Sequence, residues 1–262
     1  MTIVVAVACP EGLVLGADSR ATVYGESAAR VATDYAQKLF AVSERFGAAT
    51  FGWGFLDGNT VAGMMEEFEA QTKPARHVGE AVERLKEFFG DRLKRHLEKG
   101  LDEPPAEGVD VLGFVVGGYD EQGVGRLRTL YLPSGTVVDG ASTAAAECGA
   151  TWEGEIDVLI RLVKGWDAAR IDTSEWPEEQ RQALEQSEYL TSFTQMALQD
   201  AVDFAAFAIR TTIDMQRFSD GTVGAPGRFP SCGGSAELLA ITSRGLQWLQ
   251  ETKLRAKVVR GA

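Results

Sequence analysis

The sequence predicts an α+β protein, a four-layer αββα sandwich in which two antiparallel sheets are flanked by helices. Runs rich in β-branched residues come in pairs joined by short turns, beginning with 3–8 and 13–17. Two amphipathic helices follow the first four strands, and strands and helices then recur in blocks, which disfavours an alternating βαβ sheet. The 262 residues, 45% of them hydrophobic, can bury one large core, so we expect a single domain spanning 1–262.

The first four strands form two hairpins. They are predicted at 3–8, 13–17, 38–43 and 47–55. The turn of the first hairpin is Pro10-Glu11-Gly12, and a long connection over 23–34 joins the two pairs. Because the first strand starts at once, it is expected to hold Thr2 still.

Two long helices are predicted after these strands. Asn59 is expected to cap the first helix, where apolar residues recur at i, i+3, i+4 and i+7. The predicted buried stripes are Val61, Met64, Met65 and Phe68 in the first helix, and Val82, Leu85, Phe89, Leu93 and His96 or Leu97 in the second. We interpret both stripes as core packing and not as a cofactor site.

The second half continues the block order. Further strands are predicted at 109–116, 127–132 and 136–139, then an extended connection at 141–146 and a closing hairpin of 236–242 and 246–250. Residues 148–154 are expected to lead into a third helix with Ile156, Leu159, Ile160 and Val163 on one face. An acidic insertion around 166–190 contains a short helix; a fourth long helix over 191–215 and a loop over 216–230 follow.

Charge and composition exclude several classes of function. The net charge is −12, which argues against nucleic acid or an anionic membrane as partner. No run reaches the 18 apolar residues of a membrane span, and the first apolar stretch lacks the basic flank of a signal peptide. Three scattered cysteines, Cys9, Cys148 and Cys232, suit reduced thiols in a cytoplasm. With only two histidines, no metal or other cofactor is expected.

Thr2 is the candidate nucleophile. Its small side chain suits removal of Met1 by an aminopeptidase, which would make Thr2 the N-terminal residue. A threonine hydroxyl needs a base to take its proton. The α-amino group, with an ordinary pKa of about 7.7–8.0, can be that base.

Three further residues complete this chemistry. Lys38 opens the third strand and would supply a cation that favours the alkoxide. Asp18 ends the second strand and would pair with Lys38. Gly52, near the end of the fourth strand, would offer its N–H to the developing oxyanion, since glycine lets a substrate approach the backbone closely.

These residues carry a family resemblance over roughly the first sixty positions. Thr2, Gly-Ala-Asp-Ser-Arg-Ala-Thr over 16–22, Lys-Leu-Phe-Ala-Val over 38–42 and Gly52, in that order, resemble the start of a proteasome β-type subunit of the bacterial proteasome-homologue kind. The resemblance implies an N-terminal-nucleophile (Ntn) hydrolase, in which a threonine is the nucleophile and an aspartate and a lysine assist it.

The resemblance also implies a substrate and an assembly. It implies that Arg20 and Thr22 hold the site or the substrate backbone, and that Gly52 lines the oxyanion site. Peptides or unfolded proteins would be cleaved inside a homo-oligomeric ring, without a cofactor; no unfolding partner is indicated. By strand register, Ala21, Ala36, Thr50 and Gly54 would surround a roomy, uncharged pocket for the residue before the scissile bond.

The chain departs from the family outside this inner set. Relatives carry Asp and Ser just before the Gly-Gly of the closing hairpin, where this chain has Phe229 and Cys232. The possible substitutes are Ser231 or Ser235 for the hydroxyl and Asp214 or Asp220 for the carboxylate. A second family Ser, which follows a Gly before the third helix, matches Ala150 or Thr151.

Two other functions therefore stay open. The chain could be a ring subunit that keeps the fold for assembly without catalysis, which the missing Asp and Ser favour. It could also be an amidase of the same superfamily that acts on a small molecule. Retention of Met1 would favour the first, and a peptide library would separate a protease from the second.

Overall fold

A computed structural model describes residues 2–25, 28–73, 75–167 and 171–251. The strands are β1 Ile3–Cys9, β2 Gly12–Asp18, β3 Ala21–Tyr24, β4 Ala29–Thr33, β5 Leu39–Ala41, β6 Phe46–Gly52, β7 Phe55–Leu56, β8 Asn59–Thr60, β9 Leu112–Tyr119, β10 Gly125–Leu132, β11 Val137–Ser142, β12 Gly149–Gly154, β13 Gly221–Thr222, β14 Ala225–Pro226, β15 Ala236–Thr242 and β16 Gly245–Gln250. The helices are α1 Val61–Gln71, α2 Val78–Glu98, α3 Asp157–Lys164, α4 Glu178–Glu185 and α5 Leu198–Phe218, with a short 3₁₀ helix at Phe193–Gln195.

Two five-stranded sheets form the centre of the protein. The first has the order β12-β1-β2-β15-β16 and the second β11-β10-β9-β6-β5, and the pairings within both are antiparallel. Both faces of β1 are buried, which explains its nearly continuous apolar sequence. One face of β1 contributes Val4 and Ala6 to a cluster between the sheets, which also contains Ala49 and Val115 of the second sheet.

Helices cover the outer faces of the two sheets. The first sheet turns Ile3, Val5 and Val7 toward α5 and α3. Small residues on α5, among them Ala201, Ala205 and Ala208, are buried there and allow the helix to approach the sheet closely. On the other side, α1 and α2 cover the second sheet. Their buried residues include those of the two predicted stripes, together with Val78 and Ala81 of α2, and Leu97 is partly buried. The predicted α+β class is confirmed.

The structure corrects two elements of the second half. Residues 148–154 lead into a helix, α3, as expected, but they also contain a strand that was not predicted: β12 is an edge strand paired with β1 in the register Ile3↔Gly154 to Ala8↔Gly149. The fourth long helix was expected over 191–215, but α5 begins only at Leu198. The reason is an extended residue, Ala197, whose N–H donates to Asp200 Oδ2 at 2.9 Å and so marks the helix start.

Several boundaries also differ from the prediction. Thr60, not Asn59, caps α1, because its Oγ1 accepts from the Gly63 N–H at 3.0 Å. The connection over 23–34 contains the hairpin β3–β4, described except at 26 and 27. The acidic insertion contains α4, which buries no residue, and its positions 168–170 lie outside the described residues. Among the described helices, none combines the length and hydropathy that a bilayer crossing requires.

Candidate active site

Asp18 is the centre of the candidate site. It ends β2 and is fully buried, with an exposed fraction of 0%. Its Oδ1 accepts from the Ile3 N–H at 3.1 Å and from Lys38 Nζ at 2.7 Å. Its Oδ2 accepts from the N–H of Gly233 at 3.0 Å and of Arg20 at 3.2 Å. A buried carboxylate needs such donors, and these four tie the chain start, the third strand pair and the closing hairpin together.

Thr2 is fixed on both sides by this arrangement. Its carbonyl accepts from the Glu155 N–H at 2.7 Å, and the next amide, that of Ile3, donates to Asp18. Gly154 makes the approach of β12 possible, because it has φ +85° and a Cβ there would lie 1.9 Å from the Thr2 carbonyl oxygen. Thr2 itself is 5% exposed. Of the sequence-predicted trio, Asp18 and Lys38 form a direct ion pair, and Thr2 is tied to that pair through the amide of the next residue.

Gly52 ends β6 on the edge that faces Lys38. The Thr50 N–H donates to the Lys38 carbonyl at 2.8 Å, and the Trp53 N–H donates to Val111 on the opposite side at 2.7 Å. Since N–H directions alternate along a strand, the Gly52 N–H lies on the Lys38 side. Only glycine fits at this position: φ is +87°, and a Cβ would lie 2.1 Å from the Val111 carbonyl oxygen.

Arg20 and Thr22 hold a neighbouring loop in place. The Arg20 guanidinium binds both oxygens of Asp34, at 2.6 and 3.1 Å, and the Pro230 carbonyl at 3.1 Å. The hydrogen-bonded Asp34 carboxylate raises the pKa of Arg20, and the same contact lowers the pKa of Asp34. The Thr22 hydroxyl donates to the Ser231 carbonyl at 3.4 Å. Both side chains thus bind the segment that precedes Gly233.

The four predicted pocket residues differ in how exposed they are. Ala21 opens β3 opposite Thr33, and Gly54 is exposed with no atom within 4 Å of a Cβ built there. Ala36 is half-buried, and its N–H donates to the Ser19 carbonyl at 2.8 Å. Thr50 is buried, and its hydroxyl donates to the carbonyl of Gly113 at 3.3 Å. Thr50 is therefore not open to a substrate in this structure.

Cys232 lies against the centre of the site. It is 1% exposed, and burial, followed by the nearby Asp18 carboxylate, raises its pKa well above the ordinary value, so the thiol stays protonated. Its N–H donates to Gln216 Oε1 at 2.8 Å, and the Ser231 hydroxyl approaches the same oxygen at 3.5 Å. Gln216, near the end of α5, thus anchors this segment.

The other proposed substitutes have separate partners. Ser235 pairs with Ser19, through its N–H at 2.8 Å and between the hydroxyls at 3.3 Å. Asp214 pairs with Arg210 on the surface of α5 at 2.6 Å. The Asp220 carbonyl accepts from the Gly227 N–H at 2.6 Å. Of these residues, Asp214 is engaged on the surface of α5, whereas Ser235 lies next to Ser19, the residue that follows Asp18.

The structure adds a charged pair that the sequence did not indicate. Glu155 is buried beside the Thr2 carbonyl, and its carboxylate binds Arg228, which also binds Asp157 at 2.9 Å. The glycine that directly precedes α3 is Gly154, so the residue following it is Glu155. Ala150, in contrast, lies within β12 opposite Val7. The sequence could have indicated that Glu155 occupies the position of the second family Ser, because Gly154 and Glu155 stand just before the helical pattern.

Comparisons with known proteins add no identification: no protein-family model matches the chain, and a search of curated proteins finds no match either. Within residues 2–25, 28–73, 75–167 and 171–251, no group of three or more His, Cys, Asp or Glu side chains is arranged to hold a metal ion. The fold and the site define a mixed α+β protein in which a buried Asp–Lys ion pair is bound to the backbone at the chain start.

Proposed function

We propose that the protein is a threonine-type hydrolase of amide bonds, acting on peptides or unfolded proteins through Thr2 after removal of Met1. One observation carries the proposal. The buried Asp18 carboxylate binds the amide that follows Thr2 and the Lys38 ammonium through the same oxygen. A structural ion pair alone does not require this coupling to the second residue of the chain.

The proposed reaction proceeds through an acyl-enzyme. The free amine of Thr2 takes the hydroxyl proton as Oγ1 attacks the scissile carbonyl, and the Lys38 ammonium favours the alkoxide. The Gly52 N–H stabilises the oxyanion of the tetrahedral intermediate. The protonated amine then gives its proton to the leaving amine. Water, activated by the same amine, hydrolyses the ester and restores the Thr2 hydroxyl.

The proposal includes the fold family and the assembly. Two facing antiparallel sheets covered by helices, with a strand that begins directly after Thr2, support an Ntn hydrolase fold. The resemblance of the first sixty residues to proteasome β-type subunits supports a homo-oligomeric ring in the cytoplasm. The active site would then face an enclosed space.

A non-catalytic ring subunit is the second candidate. It is favoured by the environment of Thr2, where the Cys232 thiol is held protonated and Glu155 is bound to Arg228. Neither of these groups offers the free Asp and Ser that relatives carry. The Asp18–Lys38 pair supports the enzyme through its attachment to the amide that follows Thr2, since its contribution to stability would serve either candidate.

Active-site labelling tests the proposal. Intact mass first establishes whether Met1 is absent; a β-lactone or peptide boronate is then applied to wild type, Thr2→Ser, Thr2→Ala and the remote control Thr173→Ala. We expect adducts on wild type, Thr2→Ser and Thr173→Ala only. Retained Met1, or a Thr2→Ala variant labelled as well as wild type, contradicts the mechanism. A correctly processed wild type that takes no label supports the scaffold, and labelling without cleavage of a peptide library supports a small-molecule amidase.

A further inference from the structure

Cys9 is the last residue of β1, and Cys148 directly precedes β12, at the same end of the β1–β12 ladder. The register of this antiparallel pair runs from Ile3↔Gly154 to Ala8↔Gly149, and one more step places Cys9 opposite Cys148. The sequence separates these cysteines widely, and only the strand pairing that the sequence did not predict brings them together.

The hydrogen-bond pattern places the two cysteines at a close-approach position. The Glu155 N–H donates to the Thr2 carbonyl, so Thr2↔Glu155 is a hydrogen-bonded pair, and every second pair along the ladder is of that kind. Counting from it, Cys9↔Cys148 is a non-hydrogen-bonded pair. In such pairs the Cα atoms lie about 4.5 Å apart, within the range of about 4.4–6.8 Å that a disulfide spans.

Extending the alternation of side chains by one residue beyond β12 puts both thiols on the same face of the sheet. Cys9 belongs to the cluster beneath α5, and Ala150 and Trp152 of β12 pack against that same cluster. Because side chains alternate along a strand, Cys148 points to this face as well. Burial, with a contribution from the nearby Cys9, raises the pKa of Cys148, which agrees with their proximity.

The Cys148 thiol is more accessible to solvent than the Cys9 thiol. Cys9 is fully buried, whereas Cys148 is only half-buried and its Sγ lies 3.5 Å from the Ala144 carbonyl oxygen. A small reagent can therefore reach Cys148 first, and Cys9 is placed to react second. Both are free thiols in this structure.

We propose that Cys9 and Cys148 form an oxidisable dithiol site, whose co-reactant is a low-molecular-weight disulfide of the glutathione type. The Cys148 thiolate attacks the small disulfide, forming a mixed disulfide and releasing one small thiol. The Cys9 thiolate then attacks Cys148 Sγ, forming the protein disulfide and releasing the second small thiol. The protein loses two electrons and two protons, and the small disulfide gains them.

The disulfide would cross-link β1 and β12, the two strands whose pairing positions Thr2. The Thr2–Glu155 hydrogen bond closes one end of the β1–β12 pairing, and the Cys9–Cys148 bond would close the other. A cross-link that joins such distant residues restricts the unfolded chain strongly, so oxidation is expected to raise the melting temperature. This inference does not depend on the proposed hydrolysis.

Redox titration of the full chain tests the site, with oxidised and reduced glutathione at defined ratios. After denaturation and thiol counting, we expect three free thiols in the reduced protein and one in the oxidised protein, since the chain has three cysteines. The oxidised form should be about 2 Da lighter, and a peptide map should join Cys9 to Cys148. Cys148→Ser should abolish the change, while Cys232→Ser should retain it and leave no free thiol.

Three outcomes would overturn the proposal: all thiols remaining free at oxidising ratios, a glutathione adduct on Cys148 that never resolves, or a peptide map that joins Cys232. If Cys148→Ser does not fold, the peptide map of the wild type still decides the question. A higher melting temperature in the oxidised wild type, absent from Cys148→Ser, is expected if the bond lies across the ladder.

Discussion

Replacing Asp18 by asparagine is expected to destabilise the protein strongly. Asp18 accepts four hydrogen bonds through two oxygens, and the Lys38 side chain beside it is only 8% exposed. Asparagine keeps the shape but turns an NH₂ toward two of the four donors, so about two hydrogen bonds are lost. It also leaves the Lys38 ammonium without its carboxylate. Breaking a buried ion pair from one side costs about 3–5 kcal/mol.

The lysine should be easier to replace than the aspartate. In Lys38→Met, the Asp18 carboxylate keeps three backbone donors, those of Ile3, Arg20 and Gly233. The loss then includes the charge-assisted hydrogen bond to Asp18, which contributes about 1.5–3 kcal/mol. In the double variant, Asp18→Asn no longer removes the carboxylate from a buried ammonium. The double variant should therefore lose less than the sum of the single variants, by about 0.5–3 kcal/mol.

Urea unfolding followed by tryptophan fluorescence measures these free energies. Asp34→Asn is the control, because it breaks the Arg20 ion pair at a side chain that is 40% exposed, where such a pair contributes about 1 kcal/mol or less. A cost of Asp18→Asn no greater than that of Asp34→Asn would contradict a stabilising role for the buried pair. The expected coupling is absent if the losses of Asp18→Asn and Lys38→Met add within about 0.5 kcal/mol.

Two further predictions concern the backbone beside the site and the space between the sheets. Gly52→Ala should cost about 1–3 kcal/mol of folding free energy, because φ is +87° and the new Cβ would clash with the Val111 carbonyl. Gly54→Ala is the control and should change little, because a Cβ there has open space; equal urea midpoints for the two variants would contradict this. Burial raises the pKa of Glu153 despite the Tyr131 hydroxyl that donates to it at 2.5 Å. The stability from this carboxyl is present below the unfolded pKa of about 4.3 and is lost as pH rises through the folded pKa. Glu153→Gln should therefore gain in melting temperature relative to wild type as pH rises from that value, and parallel pH curves would refute the sign.

The inner site was readable from the sequence because its residues end or begin strands. Asp18 closes β2 and Lys38 directly precedes β5, so a hairpin pattern alone placed both at one end of the fold. The apolar stripes of α1 and α2 were predicted correctly for a similar reason. Their apolar residues recur with helical spacing, and Met64 in α1 and Phe89 in α2, for example, are buried. Local periodicity is sufficient for such elements.

The missed contacts around Thr2 and Cys148 depend on one long-range pairing. Residues 149–154 contain two glycines, a tryptophan and a glutamate, which gives no alternating strand pattern. Their strand character comes from pairing with β1 and not from their own preference. Without that strand, neither the Glu155 N–H beside Thr2 nor the meeting of Cys9 and Cys148 can be foreseen. The start of α5 was missed because Ala197 gives no capping signal in the sequence.

Replacing Lys38 distinguishes a catalytic role of the Asp18–Lys38 pair from a purely structural one. In the enzyme, the Lys38 ammonium stabilises the Thr2 alkoxide. Replacing Lys38 must then slow the reaction of Thr2 with the lactone even in protein that remains folded. In a scaffold, the same substitution can change only stability. The Glu155–Arg228 pair strengthens this distinction, because it fixes the Thr2 carbonyl from the opposite side and keeps the backbone of Thr2 in place when Lys38 is replaced. A Lys38→Met protein that remains folded but no longer reacts with the lactone would therefore have lost chemistry and not geometry.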